Sequence, residues 1–334
     1  MPKPSNSHKQ SFGIVSSGMY LPPDVLTNSD LEKIVDTSDE WITTRTGIKK
    51  RHVADSKTAT SDIATEAAWR ALENAKMKPG EIDVIILATA TADRVFPATA
   101  CVVQENLKAK SAACFDVAAA CSGYLYGLTI AHSFLTSNLY NNVLVIGAET
   151  LTKIMDFQDR TTCVLFGDGA GASVIGRVDD GKGILSTFMK SDGSLTKILN
   201  MPAGGTRMPT THETVEKRLH YIKMQGNEMF KFATRAMVEA SNIAIKRAGL
   251  TTDDIDLFIP HQANIRIMEA SAKRLHLPMD KVYVNIDRYG NTSAASIPIA
   301  IVEALDEGRI NDGTVILLAA AGGGMTSAAS VIRW

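Results

Sequence analysis

The chain has 334 residues, 45% of them apolar, which is enough for one large domain or two fused smaller ones around a substantial core and excludes a disordered chain. A formal net charge of -1 gives no global electrostatic signature for nucleic acid. Four cysteines (Cys101, Cys114, Cys121 and Cys163) without paired spacing exclude a disulfide framework or a zinc site and point to the reducing cytoplasm.

Residues 1–10 are polar and contain Pro and Ser, with no apolar core of signal-peptide length, and read as a disordered tail. No stretch is long enough to span a bilayer. A first strand is predicted over 12–19, ended by Leu21-Pro22-Pro23. Thr27-Asn28-Ser29-Asp30 is N-cap chemistry for a helix running through Leu31, Ile34 and Val35. The segment 37–48 is polar with one large aromatic, Trp41, and the basic run 49–52 after it reads as solvated surface. A helix follows over 61–75, then an apolar strand at 84–88 of the kind buried on both faces in a parallel sheet, then a helix over 97–107.

Phe115-Asp116-Val117 runs into three alanines and then Cys121, after which Tyr124, Leu125, Leu128, Ala131 and Leu135 recur at helical spacing. Cys121 is therefore predicted on the first turn of a buried helix, where unpaired N–H groups and the helix dipole favour a thiolate. A small core hydrophobe is the competing reading of the same residue, and this stretch alone does not separate the two. The strand 142–147 and the run 166–175 complete the first half.

The second half repeats this order. Residues 75–86 align without a gap on 248–259, and 143–148 on 315–320, at offsets of 173 and 172 residues. A kept offset across two helix–strand units indicates an internal duplication. It sets Cys121 opposite Ser293 and gives an α/β protein with two mostly parallel sheets. Residues 180–225, rich in Gly and Pro, read as a loop-rich connection. A nucleophilic cysteine needs partners, and the second half offers His261 just past a strand, Asn291 in Gly290-Asn291-Thr292-Ser293, and Gly322-Gly323-Gly324, whose N–H groups suit an oxyanion. Asn291 also reads as a helix N-cap. No spacing of His, Cys, Asp and Glu suggests a metal. A papain-type hydrolase also has Cys, His and Asn in this order, but its Cys-Gly-Ser-Cys-Trp signature is missing.

These motifs, together with 37–42, Arg45-Thr46-Gly47-Ile48, Gly167-Asp168-Gly169-Ala170-Gly171, Ser191-Asp192-Gly193-Ser194 and Pro260-His261-Gln262-Ala263-Asn264, resemble those of the thiolase superfamily. Within it they are most similar to the β-ketoacyl-[acyl-carrier-protein] synthase III family, in the family's order and over nearly the whole chain. The resemblance implies a duplicated fold layered α-β-α-β-α with two mostly parallel or mixed five-stranded sheets. Its halves would be 11–180 and 181–334, the second opening with the loop-rich connection to about 225.

The implied activity is decarboxylative Claisen condensation of an acyl-coenzyme A primer with malonyl-acyl carrier protein. It proceeds without a cofactor, in a cytoplasmic homodimer, and starts type II fatty acid biosynthesis. A condensing or acyl-transferring relative in quinolone or polyketide metabolism is the alternative. The resemblance implies Cys121, His261 and Asn291 as catalytic residues and the N–H groups of Cys121 and Gly323 as the oxyanion site. It implies Trp41 and Arg160 around the adenine of coenzyme A, with Thr37 and Arg45 beside the nucleotide. Asn227 and Asn264 would follow the pantetheine, and Phe166 would lie by the nucleophile. Phe96 would reach into the partner's acyl pocket, and Lys231, Arg266, Lys273 and Arg274 would receive the carrier protein. Ala321 stands where close relatives commonly carry Phe, which implies a wider acyl pocket that takes groups longer than acetyl.

Overall fold

The structure, a computed structural model, describes residues 10–334, so all but the last residue of the expected tail lies outside the described residues. The first half forms β1 (Ser11–Tyr20), the short β2 (Asp24–Thr27) and β3 (Lys50–Val53), then β4 (Val84–Ala88), β5 (Ala113–Val117), β6 (Val143–Glu149) and β7 (Gly169–Val178). The second adds β8 (Gly183–Ser191), the two-residue β9 (Leu199–Asn200) and β10 (Lys223–Met224), then β11 (Leu257–Pro260), β12 (Val315–Gly322) and β13 (Thr326–Arg333).

One sheet has the order β1-β7-β6-β4-β5 and the other, read from its far edge, β8-β13-β12-β11. The pairings correspond in direction as well. β7 is antiparallel to β1 and β6, as β13 is to β8 and β12, whereas β4 is parallel to β6 as β11 is to β12. Each sheet is thus mixed, with a single strand, β7 in one and β13 in the other, running against the rest.

The second sheet has four strands where five are expected. The position matching β5 is a single parallel bridge between Phe258 and Val282, with Tyr283 N–H donating to the Phe258 carbonyl at 2.8 Å. The next rung of a parallel ladder needs an N–H from residue 260, which is proline. Gln262 Nε2 donates to the Tyr283 carbonyl instead, at 3.1 Å, and the ladder ends there.

Alternation along the strands sorts the layers. In β12, Ile316, Leu318 and Ala320 face the inner core, while Val315, Leu317, Ala319 and Ala321 face the helices outside. In β4, Val84 and Ile86 face inward and Ile85 and Leu87 face helix Thr60–Ala75. Helices Gly123–Thr136 and Ser296–Asp306 fill the middle, their Tyr124, Leu128, Leu135, Ile297 and Ile301 packed between both sheets. The layering is α-β-α-β-α.

Each central helix is entered by the same turn. Ala120 (φ 45°) opens the 3₁₀ turn Ala120–Ser122, and Ser293 (φ 47°) opens Ser293–Ala295. The two left-handed residues lie 173 positions apart, so the turns pair Ala120 with Ser293, and Cys121 stands opposite Ala294 where Ser293 was expected. Each turn packs on the other half's central strand. A Cβ on Gly322 of β12 would stand 2.7 Å from Cys121 N, and one on Gly147 of β6 would strike the Ala294 carbonyl oxygen. Glycine is required at both by this close approach.

Three local expectations change. The 180–225 stretch is not all loop, because β8 pairs with β13 along nearly its whole length, starting at Gly183, where a Cβ would strike the Phe12 carbonyl. The helix begun at Thr27, which does cap it in a capping box with Asp30, lasts only over Asn28–Leu31, and Ile34 beyond it is 52% exposed. Within the basic run, Arg51 is wholly buried. Its guanidinium donates to the Leu26 carbonyl, Asn28 Oδ1 and the Val164 carbonyl.

Gly147→Ala is expected to cost about 1–3 kcal/mol of stability in urea unfolding. Gly80→Ala, with nothing within 4 Å of the added carbon, should be near neutral. Equal stability of the two variants would contradict the close approach of β6 to the opposite turn.

Candidate active site

Cys121 sits in the turn between β5 and helix Gly123–Thr136, 7% exposed, with its backbone N–H beside Gly322. The helix N-terminus favours a thiolate, but burial outweighs it and pushes the thiol up to about 12, aided by the negative charge of Glu149 and opposed by a hydrogen bond with Ser293. Burial and the helix terminus thus act on the thiol in opposite directions.

His261 follows β11 directly, its N–H held by the Ala319 carbonyl at 2.8 Å, and its ring is buried. Nδ1 lies 2.7 Å from Ser296 Oγ, which also accepts the Gln262 N–H at 3.5 Å. In the tautomer that carries the ring proton on Nε2, the Ser296 hydroxyl donates to Nδ1. Nε2 has no protein partner. Burial alone brings His261 down to about 3, so the ring is a neutral donor at physiological pH.

Asn291 is pinned by a parallel bridge to Phe166: its N–H donates to the Leu165 carbonyl at 2.8 Å and its carbonyl accepts the Gly167 N–H at 3.1 Å. Gly290 before it has φ 65°, with the Leu165 carbonyl 2.9 Å from where a Cβ would stand. Asn291 Oδ1 accepts the Ser293 N–H at 2.9 Å, which orients the amide and leaves Nδ2 as its free donor. The side chain caps the turn and lines the cavity at once.

Cys121 lies between two cavities. One, of about 440 Å³, is shared with His261, Asn291, Phe166 and Ala321 and opens past Asn227, Asn264 and Arg266 to Trp41 and Arg45. The other, of about 350 Å³, is largely apolar. It is lined by Leu151, Ile154, Met201 and Ile222 beside Cys121, Phe166, Ser293 and Gly323. Ala321 faces the first cavity and not the apolar one, because alternation along β12 points it toward the side that carries His261.

At the mouth, the guanidinium carbons of Arg45 and Arg160 stand 5.1 and 5.2 Å from the centroid of the Trp41 ring. A flat ring between Trp41 and Arg160 needs roughly two contact distances of ~3.5 Å, so Arg160 must swing outward to admit one. Arg160 also donates to the Asp36 carbonyl at 2.8 Å, and Thr37 Oγ1 nearby in sequence is buried without a partner. Asn264 is committed at both ends, capping helix Ile265–Arg274 through the Arg266 N–H at 2.9 Å and donating to the Arg45 carbonyl at 3.0 Å. It shapes the wall and has little left for a ligand.

Lys231, Lys273 and Arg274 are exposed and do not line either cavity, and Lys231 pairs with Glu228 at 2.9 Å. Phe96 is 81% exposed beside Val95 at 90% and lines neither of these two cavities. No group of three His, Cys, Asp or Glu side chains suited to a metal occurs among the described residues. No helix among them is long and apolar enough to cross a membrane.

Ser296, Glu149 and the aliphatic residues Leu151, Ile154, Met201 and Ile222 of the apolar cavity had no expected role from the sequence. The one available signal was Glu149 itself, a carboxylate ending the apolar strand β6, where ligand sites of α/β sheets form.

The fold is that of the thiolase-like condensing enzymes, which are acyltransferases. Residues 115–193 match the family model described as 3-oxoacyl-[acyl-carrier-protein (ACP)] synthase III, and 245–334 match its C-terminal model. A β-ketoacyl-[acyl-carrier-protein] synthase III of Caldanaerobacter subterraneus is 60% identical over 98% of both chains. One from Clostridioides difficile is 56% identical over 96% of this chain and 98% of its own. The crystal structure of 3-oxoacyl-[acyl-carrier-protein] synthase III from Aquifex aeolicus superimposes with a TM-score of 0.90 at 51% identity, covering 97% of this chain and 100% of the other. The chain belongs to the β-ketoacyl-[acyl-carrier-protein] synthase III family.

The low proton affinity of His261 has a direct readout. Its ring Hε1 resonance is expected not to titrate between pH 5 and 9, since protonation sets in only near pH 3. A titration midpoint near the ordinary value of about 6.5 would contradict the buried, neutral donor.

Proposed function

We infer that the protein condenses an acyl-coenzyme A primer with malonyl-acyl carrier protein to give 3-ketoacyl-acyl carrier protein, the step that starts type II fatty acid synthesis. The observation that carries this reading is the place of Cys121 between a polar-mouthed cavity and an apolar one. A thioester entering by the first puts its carbonyl at the thiol and its acyl chain into the second.

In the first half-reaction Cys121 Sγ attacks the thioester carbon, and the N–H groups of Cys121 and Gly323 hold the oxyanion of the tetrahedral intermediate. The coenzyme A thiol leaves, and the acyl group stays on Cys121. Malonyl-acyl carrier protein then enters the same cavity. His261 Nε2–H and Asn291 Nδ2 donate to its thioester oxygen, so negative charge developing there as carbon dioxide leaves meets fixed donors in a site shielded from water. The enolate carbon attacks the acyl carbon on Cys121, and the C–S bond to Cys121 breaks. No cofactor is required; coenzyme A and the carrier protein arrive as parts of the substrates.

Around this centre, Trp41 and Arg160 would grip the adenine, with Thr37 and Arg45 beside the nucleotide and Asn227 along the pantetheine. Lys231, Arg266, Lys273 and Arg274 would meet the acidic carrier protein, Arg266 at the cavity mouth itself. A homodimer is proposed in which the exposed Val95 and Phe96 are covered and Phe96 reaches the partner's apolar cavity. The two repeats would be 11–180 and 181–334.

Intact-mass measurement after mixing with acetyl-coenzyme A and longer analogues tests the first half-reaction. An acyl adduct is expected on the native protein and none on Cys121→Ala. Adducts with groups longer than acetyl are also expected, from the open lining of the apolar cavity. No adduct with any thioester would defeat the reading, and an adduct from acetyl alone would exclude the wider pocket.

A further inference from the structure

His261 and Asn291 stand on separate loops, and a chain of polar side chains ties those loops together. Gln262, next to His261, is 1% exposed. Its Nε2 donates to the Pro260 carbonyl at 2.8 Å and to the Tyr283 carbonyl at 3.1 Å, and its Oε1 accepts the Asn285 N–H at 3.0 Å. Asn285 Nδ2 donates in turn to Glu303 Oε2 at 2.6 Å. The other oxygen of Glu303 accepts the hydroxyl of Tyr289, two residues before Asn291, and pairs with Arg288 Nη1 at 3.1 Å. None of Gln262, Asn285, Tyr289 and Glu303 lines the cavity that holds His261 and Asn291, so the network lies behind its wall.

Glu303 is the one charged residue among the buried positions of the central helix Ser296–Asp306. It follows Ser296 by seven residues, which is two helical turns, so the two side chains share a face. Ser296 Oγ lies 2.7 Å from His261 Nδ1. One face of one helix therefore holds the His261 ring directly and reaches both loops through Glu303. The fold does not call for a carboxylate at this place. In the twin central helix, 173 residues earlier, the corresponding residue is Ile130, packed on the core, in the half that carries neither donor. Without Glu303, Asn285 Nδ2 and the Tyr289 hydroxyl would lose their acceptor, a costly state for a buried donor.

We propose that Glu303 is a positioning residue for decarboxylation, fixing the His261 loop through Asn285 and Gln262 and the Asn291 loop through Tyr289, so that both donors meet one thioester oxygen. The inference rests on the condensation reading of the site. Asn291 is pinned on one side by its bridge to Phe166, and the Tyr289–Glu303 bond holds the same segment two residues earlier. Donors to a developing oxyanion work only within hydrogen-bond distance of it, and a displacement of ~1 Å can cost ~10²-fold in rate. Acylation of Cys121 draws on the N–H groups of Cys121 and Gly323 and is independent of this network.

The test follows two events in the full-length native protein, Glu303→Ala, Glu303→Gln and Tyr289→Phe: acyl-enzyme formation from acetyl-coenzyme A by intact mass, and carbon dioxide release from labelled malonyl-acyl carrier protein. Glu303→Ala is expected to lower kcat for carbon dioxide release about 10²-fold. KM for malonyl-acyl carrier protein and the acylation rate should stay within about threefold. Glu303→Gln, which keeps a planar acceptor, should recover at least about tenfold of the loss. Tyr289→Phe removes a single hydroxyl, should lose about tenfold in the same kcat, and keeps the test open if Glu303→Ala fails to fold. A purely structural staple predicts that the two half-reactions fall together. That result, a change confined to KM, or native carbon dioxide release in Tyr289→Phe would overturn the positioning role and leave the condensation reading standing. A native protein that takes no acyl group and releases no carbon dioxide would remove that reading instead.

Discussion

The structure depends on a reciprocal contact. Each half enters its central helix through a left-handed residue and a 3₁₀ turn, and each turn is received by a glycine on the other half's central strand. Gly322 admits the Cys121 backbone and Gly147 admits that of Ala294. A methyl group at either place would push the halves apart. Because the two turns interlock, the N-terminus of one central helix and the loop before the other come together in the middle of the molecule. A nucleophile carried by one and hydrogen-bond donors carried by the other then share one cavity. The strands that end there, β6, β11 and β12, contribute Glu149, His261 and Gly322 at their C-terminal ends, where open sheets leave their crevices.

The same burial sets the protonation states. It raises the Cys121 thiol and lowers the His261 imidazole, so both groups rest uncharged. An uncharged imidazole fixed by Ser296 is a donor aimed at a developing negative charge, which is worth more in a site closed to water than it would be at the surface. The cost falls on the thiol, which gains no standing ionisation from its helix and depends on transient proton removal. The site is built for charge that appears during reaction, with little charge of its own beforehand.

Much of this was legible in the sequence. The continuous apolar runs at 84–88 and 315–320 mark strands covered on both faces, and the preserved offset between repeats anticipates two sheets of like topology. Cys121, His261 and Asn291 were each visible as polar or reactive residues at the end of an apolar run. Less legible was anything set by three-dimensional alternatives of similar local pattern. Pro260 stops a ladder only because Gln262 folds back to take the vacant rung. Arg51 looked like surface until Leu26, Asn28 and Val164 supplied its acceptors. Ala321 was recognisable as unusual, but which cavity it faces follows from the phase of β12. The direction of the Cys121 shift depends on how burial compares with the helix terminus, a contest that spacing does not reveal.

The central claim is that one half of the molecule stores the acyl group while the other stabilises the charge of decarboxylation. The most direct measurement separates these events in Cys121→Ala and His261→Ala. Acyl-enzyme formation is followed by intact mass, and carbon dioxide release by labelled malonyl-acyl carrier protein. The account predicts a crossed pattern: Cys121→Ala forms no acyl-enzyme yet releases carbon dioxide, and His261→Ala is acylated yet releases it ~10²–10³-fold more slowly. Loss of both events in both variants would contradict a division of labour between the halves.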